Sequence, residues 1–434
     1  MAEGITRISA KGFKSLAEEC SIEIRPLTIL AGANSSGKSS IIQPILMMKQ
    51  TLEAPYDPGP LLIDGPNVRF TSAEQFLSKL DGRVMGKFSM GLEVKSSISF
   101  NETFMSKPQS GMEIAEISYK DEKGITILWP DMTQEEIMAA YPRWGRIRFR
   151  NSQNTDMKNR GYVLKTKRNR CFLEVKMLMG DDDTFVVSGL SIAFSNAILS
   201  LIHVPALRGN PERNYKKTSV GPMFPGTFEI YAASLISHWQ ATEDTRLNDL
   251  GTALEQLGLT WKVSSKQVDD VSVEVMVGRL IHKTDSNSKD LVSIADVGFG
   301  ISQILPVIVA LLTAQPGQLV YIEQPEIHLH PLAQTAMAQI LADAANRGVK
   351  VVAETHSSLL LLGIQSLVAE GKLSPDKVKL HWFKRRPEDG VTEVSSADLD
   401  RAGAFGDWPE DFSSAEMDAD TRYIHAAEAR LESN

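Results

Sequence analysis

A short stretch rich in glycine and serine constrains this chain more than any other feature of its sequence. Residues 31–40 read AGANSSGKSS and contain Gly32 followed by Gly37-Lys38-Ser39, the spacing Gly-x-x-x-x-Gly-Lys-Ser. An apolar run at 27–30 precedes the stretch, and residues 41–48 are apolar enough for a buried helix. Strand, glycine loop and helix start in this order place backbone N–H groups and the positive end of a helix around one point. The sequence therefore predicts a phosphate-binding loop of the Walker A type.

Each residue type in this loop has an expected role in binding ATP and Mg²⁺. The glycines allow backbone N–H groups to turn towards phosphate oxygens. Lys38 would reach the β- and γ-phosphates, and the hydroxyl of Ser39 would bind Mg²⁺. We predict nucleotide contacts from these residues of the loop: Gly32, Asn34, Ser35, Ser36, Gly37, Lys38, Ser39 and Ser40.

An acidic motif follows a second apolar run, at residues 319–322. Glu323 ends this run, as the carboxylate of a Walker B strand does, and we predict that it lies on the metal side with Ser39. Gln324 stands where a second carboxylate usually polarises water, and an amide can orient water but cannot accept its proton. Two interpretations stay open: Glu326 acts as the base instead, or hydrolysis is slow and binding is the signal.

Histidines follow the acidic motif and the next predicted strand. His328 and His330 form an H-x-H pair, but further zinc ligands are missing nearby, so a structural turn is favoured over a metal site. His356 follows the apolar run at 349–353, where a neutral imidazole could donate to a γ-phosphate. We predict catalytic roles for four residues of these motifs: Glu323, Gln324, Glu326 and His356.

Another glycine-rich helix start precedes the acidic motif. Residues 298–303 read GFGISQ and open the apolar helix predicted for 304–312. Backbone N–H groups at such a start favour an anion. We predict nucleotide contacts from Gly298, Gly300, Ser302 and Gln303.

The order of apolar runs predicts an α/β fold. An amphipathic helix at 332–345 connects the strands at 319–322 and 349–353, which implies a parallel sheet with a right-handed crossover. From 60 to 190, short β-like runs alternate with polar turns, and this pattern predicts a largely antiparallel, β-rich insert.

The four motifs together resemble a known arrangement. Phosphate-binding loop, glycine-serine helix start, Walker B strand and histidine, in that order, are similar to the ABC-type ATPase heads of the SMC and OLD families, as is the stretch at 5–15. Residues 204–209 (VPALRG), 322–331 (IEQPEIHLHP) and 406–412 (GDWPEDF) resemble one subgroup, the predicted bacterial AAA-type ATPases with a C-terminal domain of unknown function. That subgroup is similar to the ATPase subunits of the antiphage systems Septu, PARIS and some retrons.

This resemblance implies a P-loop NTPase with an ABC-type ATPase head, built on a mixed sheet with helices and carrying the β-rich insert. Nucleotide would lie between two heads, with Gly300 and Ser302 of one subunit facing the γ-phosphate held by Lys38 of the other. A homodimer or higher homo-oligomer would control a separate effector, a nuclease, in antiphage defence. Because the signature departs from Leu-Ser-Gly-Gly-Gln and Gln324 replaces the usual glutamate, we expect slow turnover.

Four regions follow from these assignments. We expect the N-terminal half of the head at 1–59, the insert at 60–190, the C-terminal half of the head at 191–365, and a C-terminal α/β cap with an acidic tail at 366–434. Beyond His356 the chain lacks the clustered acids that two-metal cleavage needs, so we expect no intrinsic nuclease activity. The N-terminus does not resemble a signal peptide, and Cys20 and Cys171 suit a reducing compartment, so we expect a cytoplasmic protein without membrane contact.

Two other functions stay open. An SMC-like DNA-repair or chromosome-handling ATPase is disfavoured because the sequence has no sustained heptad repeat. A transporter's nucleotide-binding subunit is disfavoured by the atypical signature and the large insert.

The net charge of −8 conceals a basic segment. Residues 143–176 contain eleven basic residues against two acidic ones, a local net charge of +9, with Trp144, Phe149 and Tyr162 interleaved for stacking. We predict contact with DNA, RNA or an acidic partner from Arg146, Arg148, Arg150, Lys165, Lys167, Arg168 and Arg170; a solvated surface is the alternative. Arg208 and Arg213 could contact nucleotide or a neighbouring head, or form ordinary salt bridges in their loop.

Overall fold

A mixed sheet and an antiparallel sheet carry most of the fold. The structure is a computed structural model that describes residues 4–80, 82–94, 97–107, 111–122, 124–140, 162–179, 183–186, 190–282, 290–406, 421–426, 428 and 430. The strands are β1 (Ile5–Lys11), β2 (Cys20–Glu23), β3 (Leu27–Gly32), β4 (Lys79–Leu80), β5 (Arg83–Val84), β6 (Lys87–Val94), β7 (Ser99–Lys107), β8 (Gly111–Asp121), β9 (Gly124–Leu128), β10 (Tyr162–Asn169), β11 (Phe172–Met179), β12 (Asp183–Val186), β13 (Ile202–Val204), β14 (Tyr215–Lys216), β15 (Val263–Gln267), β16 (Ser272–Gly278), β17 (Leu291–Ser293), β18 (Leu319–Glu323), β19 (Lys350–Thr355), β20 (Val378–Arg385) and β21 (Thr392–Ala397). The α-helices are α1 (Gln43–Glu53), α2 (Gln134–Ala140), α3 (Leu190–Leu199), α4 (Ala232–Ala241), α5 (Arg246–Gln256), α6 (Phe299–Thr313), α7 (Pro331–Asn346) and α8 (Ser358–Ala369).

The mixed sheet has the strand order β13-β18-β19-β3-β20-β21. Its pairings from β13 to β20 are parallel, and β21 is antiparallel to β20 at one edge. The apolar runs at 27–30, 319–322 and 349–353 are its strands β3, β18 and β19, and α7 connects the last two. Strands covered on both faces read as continuous apolar runs, which is why the sequence identifies them. The structure confirms the α/β class with a mixed sheet and helices.

The antiparallel sheet joins the N-terminus to the β-rich insert. Its order is β2-β1-β6-β7-β8-β9, so β1 pairs with its neighbour in the chain on one side and with β6 on the other. A separate three-stranded sheet contains β10, β11 and β12. The β-rich, antiparallel character of the insert is confirmed, and its strands β6 to β9 extend a sheet that the N-terminal residues begin.

Two hydrophobic cores lie on opposite faces of the mixed sheet. Side chains alternate between the faces of a strand; in β18, Val320 and Ile322 contribute to the core with α6, α7 and α8, whereas Leu319 and Tyr321 contribute to the core with α1, α3 and the antiparallel sheet. The mixed sheet is therefore the middle layer. Within the described part of the chain, no helix combines the length and apolar character needed to cross a membrane.

Candidate nucleotide-binding site

The predicted motifs meet at one edge of the mixed sheet. The strands β18, β19 and β3 are parallel neighbours, so their carboxyl ends lie at the same edge. The phosphate-binding loop follows β3 there. Glu323 and Glu354 are register partners at the ends of β18 and β19. The acidic motif, His356 and the loop are therefore adjacent because of strand order, although about 290 residues separate the loop from the acidic motif in the sequence.

Close packing behind the phosphate-binding loop requires glycine at two positions. Gly32 has φ 142°, and a Cβ there would lie 2.2 Å from the carbonyl oxygen of Phe383 in β20. Gly37 has φ 104°, and a Cβ there would lie 2.7 Å from Oγ1 of Thr392. The hydroxyl of Thr392 also lies 2.7 Å from the carbonyl oxygen of Ser36 and 2.8 Å from the hydroxyl of Ser15. The loop is thus supported from behind by β20, β21 and the turn after β1.

The polar groups of the loop suit an anion. Lys38 is buried, and its Nζ donates to the carbonyl oxygens of Gly32 and Ala33 at 3.0 and 2.8 Å, so the ammonium group lies within the loop. The buried hydroxyl of Ser36 has no hydrogen-bond partner among the described residues. A 3₁₀ turn at Ser39–Ile41 follows, and then α1. A cationic loop with an unpartnered hydroxyl at a helix start fits phosphate oxygens.

Ser39, the expected Mg²⁺ ligand, contacts a carboxylate that the sequence analysis did not identify. Its Oγ donates to Glu354, 2.8 Å from Oε2, and the phenol of Tyr321 donates to the same oxygen at 2.9 Å. Nζ of Lys38 lies 4.0 Å from Oε1 of Glu354. Burial, and further the charge of Glu323, raise the pKa of the Glu354 carboxyl. Glu354 directly follows the apolar run at 349–353 as Glu323 follows the run at 319–322, and that repeated pattern was the signal available in the sequence.

Glu323 faces the opposite neighbour of β18. Its Oε1 lies 3.2 Å from Nε2 of His203 in β13, and its Oε2 accepts from the main-chain N–H of Ala206 at 3.1 Å. The imidazole of His203 stacks on Tyr321, with ring centroids 5.4 Å apart. Burial opposes ionisation of Glu323, but the interactions with His203 and Ala206 outweigh it and lower the pKa. The metal-side role of Glu323 stays a prediction.

The remaining predicted catalytic residues lie beside the loop. Gln324 has φ 46°, and its N–H donates to the carbonyl oxygen of Glu354 at 2.8 Å. Glu326 is buried, and its Oε1 accepts from the main-chain N–H of His356 at 2.9 Å. Burial raises the pKa of the Glu326 carboxyl. Burial and the charge of Lys38 lower the pKa of His356, so its imidazole is neutral near pH 7.

Arg208 connects the glycine-serine helix start to the acidic motif. Its guanidinium donates to the carbonyl oxygens of Gln303, Glu323 and Gln324, at 3.2, 2.6 and 3.1 Å. Burial lowers the pKa of Arg208 to about 10. Arg213 instead forms an exposed ion pair with Asp296, with one N–O distance of 2.6 Å. Arg213 therefore forms the ordinary loop salt bridge that the sequence analysis left open. Arg208 instead links α6 to the acidic motif.

Ser302 and Gln303, the predicted nucleotide-contacting side chains at this helix start, donate to main-chain carbonyl oxygens of the same chain. Gly298 precedes the first residue of α6. The hydroxyl of Ser302 donates to the carbonyl oxygen of Phe299 at 2.9 Å, and Nε2 of Gln303 donates to that of Gly209 at 2.7 Å. Among the described residues, no hydrogen bond joins Gly298, Gly300, Ser302 or Gln303 to the phosphate-binding loop of the same chain. Their contact with nucleotide stays a prediction.

The H-x-H pair forms a turn. His328 has φ 64°, and His330 precedes α7, where its Nδ1 accepts from the N–H of Leu332 at 3.4 Å. No group of three or more His, Cys, Asp or Glu side chains that could hold a metal occurs in the described part of the chain. These contacts support the structural interpretation of the pair.

Part of the basic segment has structural contacts. Arg168 forms a bidentate ion pair with Asp57, at 2.8 and 2.6 Å. Arg170 donates to the carbonyl oxygens of Thr51 and Tyr56, both at 2.9 Å. These two arginines tie the β10–β11 turn to the end of α1, so their predicted contact with nucleic acid competes with intramolecular pairing.

The other predicted nucleic-acid contacts are less constrained. Lys165 and Lys167 are exposed on β10. Arg146, Arg148 and Arg150 lie outside the described residues, as does the stretch at 407–412, so their roles stay predictions.

Two family models match different parts of the chain. One described as an AAA ATPase domain matches residues 4–175, and one described as an AAA domain, putative AbiEii toxin, Type IV TA system, matches residues 235–362. No curated protein matches the sequence. Residues 4–175 and 235–362 are thus similar to AAA ATPase domains, and the mixed sheet with its phosphate-binding loop has the fold of a P-loop NTPase.

Solved structures of SMC heads also match. An SMC head bound to the C-terminal winged-helix domain of ScpA has 10% identity and a TM-score of 0.47, covering 92% of this chain and 99% of its own. The SMC head domain from Thermotoga maritima has 10% identity and a TM-score of 0.40, covering 91% of this chain and 100% of its own. A Pyrococcus furiosus Smc head with an extended coiled coil, bound to the C-terminal domain of ScpA, has 11% identity and a TM-score of 0.47, covering 91% and 96%.

Proposed function

We propose that this chain is an ATP-driven switch that hydrolyses ATP slowly, assembles through its ATPase heads and controls a separate nuclease in antiphage defence in the cytoplasm. One observation carries the ATP-dependent part: Lys38, Ser39, Glu326 and His356 converge at the carboxyl edge of the sheet, with Gln324 beside them. The defence role is supported by the resemblance of three stretches to a subgroup of bacterial AAA-type ATPases that is itself similar to the ATPase subunits of antiphage systems.

The residues present fit ATP with Mg²⁺. The loop would hold phosphate oxygens by its N–H groups and by Lys38, and the buried hydroxyl of Ser36 offers a further donor. Ser39 and a carboxylate would hold Mg²⁺, which supplies charge neutralisation on the phosphates when bound. In the proposed function, the chain's own groups orient the phosphates and exclude water from the buried side of the site.

Slow hydrolysis follows from the chemistry of two side chains. The amide of Gln324 can orient a water molecule but cannot take its proton. Glu326 can take a proton, and because burial raises its pKa it is a stronger base than an exposed carboxylate. Its Oε1 is already occupied by the N–H of His356. We therefore assign the base to Glu326 and attribute the slow rate to the missing carboxylate at position 324.

Assembly is supported by exposed apolar side chains beside the motifs of the site. Leu207, Phe299 and Leu332 are 87%, 54% and 78% exposed. Leu207 precedes Arg208, and the ring of Phe299 lies 6.3 Å from that of His328. Apolar groups gathered around a polar site favour burial against another protein surface. A second head would cover them together with the nucleotide.

The proposal is tested by combining biochemistry with a phage challenge. The purified chain should bind and hydrolyse ATP with Mg²⁺ and form a larger species by light scattering when ATP is present. Lys38→Ala should lose all three properties and also protection of cells that carry the chain with its neighbouring genes. Cleavage of DNA or RNA by the purified chain alone would contradict the separate effector. Full protection by Lys38→Ala would contradict the ATP-driven switch.

A further inference from the structure

The carboxylate that is hydrogen-bonded to Ser39 belongs to β19, whereas the acidic motif begins at the end of β18. Glu354 is the penultimate residue of β19, which lies between β18 and β3 in the sheet. Ser39 follows β3 directly through the loop, so Glu354 is one strand away and Glu323 is two. The hydroxyl of Ser39 donates to Oε2 of Glu354 at 2.8 Å. Strand order therefore makes Glu354 the nearer carboxylate.

This hydrogen bond determines how Ser39 can face a cation. A hydroxyl has one proton and two acceptor lone pairs. Because the proton of Ser39 is directed to Glu354, its lone pairs are directed elsewhere and are available to a cation. The carboxylate is itself fixed, since the buried Tyr321 donates to it at 2.9 Å.

Glu323 is held away from this hydrogen bond. Both of its oxygens are engaged from the β13 side, by Nε2 of His203 at 3.2 Å and by the N–H of Ala206 at 3.1 Å. β13 pairs with the edge of β18 that is opposite to β19. The carboxylates at the ends of the two neighbouring strands thus have different partners and different orientations.

We infer that Glu354 is a positioning residue for the divalent cation: its carboxylate accepts the hydrogen bond of the Ser39 hydroxyl and so aims the lone pairs of the serine oxygen at the metal. Glu323 then acts as a second, more distant carboxylate. This inference rests on the proposed function, because it concerns the cation that accompanies ATP. It adds a residue that lies outside both the phosphate-binding loop and the acidic motif.

The measurement is the affinity for a fluorescent ATP analogue with Mg²⁺ and with EDTA. The dissociation constant in EDTA divided by the dissociation constant in Mg²⁺ reports how much the cation contributes to binding. This ratio can be measured without ATP turnover. Glu354→Gln should reduce this ratio by about 10- to 100-fold, as expected for loss of a partner that orients a metal ligand. The affinity in EDTA should not fall, since E354Q keeps Lys38 and the loop N–H groups and removes a negative charge 4.0 Å from Nζ of Lys38.

A matched control and a double-mutant cycle separate positioning from damage to the fold. Glu102→Gln makes the same change at a buried carboxylate in β7, in the other sheet, and should leave the ratio unchanged. In a Ser39→Ala background, Glu354→Gln should have much less effect, because Glu354 acts through Ser39. Thermal unfolding of each variant reports whether it is folded.

Different results would overturn the inference about Glu354 and the proposed function. A ratio for Glu354→Gln equal to that of the parent would overturn the inference, and so would an unchanged effect of the substitution in the Ser39→Ala background. Absence of ATP binding by the parent chain in both conditions would overturn the proposed function itself, and this inference with it.

Discussion

The main-chain N–H of His356 donates a hydrogen bond to Oε1 of Glu326 at 2.9 Å. This contact joins the residue after β19 to the turn after β18, directly beside the phosphate-binding loop. It fixes the backbone next to the imidazole and the carboxylate at the same time. Glu326 and His356 therefore form one unit, and changes in either should affect hydrolysis.

Substitution at Glu326 should identify the base. We expect Glu326→Gln to lower kcat for ATP hydrolysis by about 10²- to 10⁴-fold, the usual contribution of a general base, while Gln324→Ala has a smaller effect. Because only the ionised carboxylate accepts a proton and burial raises the pKa of Glu326, the parent rate should fall as pH decreases through that raised pKa. Phosphate release measured against pH checks this, and parent-like hydrolysis by Glu326→Gln would contradict it.

Gly37 should tolerate no side chain. At φ 104°, a Cβ would lie 2.7 Å from Oγ1 of Thr392 and 2.9 Å from the hydroxyl of Ser15, so the loop must move. We expect Gly37→Ala to lose ATP binding and to lower the free energy of unfolding by about 1–3 kcal/mol. Gly86→Ala, where a Cβ meets nothing within 4 Å, is the control and should bind ATP normally. ATP binding by Gly37→Ala at parent affinity would show that the loop adapts.

Arg208 and Arg213 should differ sharply in their effect on stability. Arg208→Ala removes a buried guanidinium that donates to the carbonyl oxygens of Gln303, Glu323 and Gln324, so the free energy of unfolding should fall by roughly 3 kcal/mol. Arg213→Ala removes only an exposed ion pair and should cost less than about 1 kcal/mol. Denaturant unfolding measures both. Equal losses for the two variants would argue against a bridging role for Arg208.

His381 should make stability depend on pH. Its imidazole is buried in β20, with Nε2 2.9 Å from the carbonyl oxygen of Glu23 and Nδ1 2.7 Å from the hydroxyl of Ser396, and burial lowers its pKa to about 4. The unfolded chain, with a pKa near 6.5, takes up the proton first as pH falls. The contribution is therefore present above about pH 6.5 and lost as pH falls towards 4, by up to roughly 3 kcal/mol.

Urea unfolding of the parent and of His381→Gln across this range checks the pH dependence. The difference between them should shrink at acidic pH. His282→Gln, at an exposed histidine, should follow the parent throughout. Parallel curves for the parent and His381→Gln would contradict the assignment.

The basic segment should bind nucleic acid through Lys165 and Lys167, which are exposed and have no side-chain hydrogen bond or ion pair within the described part of the chain, and through the arginines predicted from the sequence. We expect Lys165→Glu with Lys167→Glu to weaken DNA or RNA binding and to reduce its dependence on salt, without loss of stability. Arg168→Ala, which breaks the ion pair with Asp57, should mainly affect stability. Reversal of Arg146, Arg148 and Arg150 to Glu should abolish salt-sensitive binding. Fluorescence anisotropy at several salt concentrations measures these effects, and unchanged binding by the triple variant would remove the nucleic-acid hypothesis.

Local patterns predict the strands and the loop well because their physical causes are local. The runs at 27–30, 319–322 and 349–353 are apolar throughout, and a strand covered on both faces needs nothing more to be recognised. The spacing of Gly32, Gly37 and Lys38 is equally local. The structure therefore confirms these elements close to their expected bounds, and α1 begins at Gln43 only because a 3₁₀ turn precedes it.

What the sequence could not predict depends on pairing between distant residues. Glu354 contacts Ser39 only because β19 lies beside β3. The local sequence of neither strand predicts that the two strands are neighbours in the sheet. Likewise β6, a strand of the insert, pairs with β1, so the insert and the N-terminal residues share one sheet. Charge alone predicted one role for Arg168 and Arg170, but the acceptors at Asp57 and Thr51 become visible only when the β10–β11 turn lies at the end of α1.

The support behind the phosphate-binding loop has a consequence for biosynthesis. Thr392, whose hydroxyl lies against Ser36, is translated about 350 residues after the loop that it supports. The strands β19 and β20 on either side of β3 are also made late. A nascent chain on the ribosome therefore exposes the loop long before its walls exist. A nascent chain therefore has the supported loop only after the residues up to Thr392 have emerged, and shorter nascent chains lack this support for nucleotide.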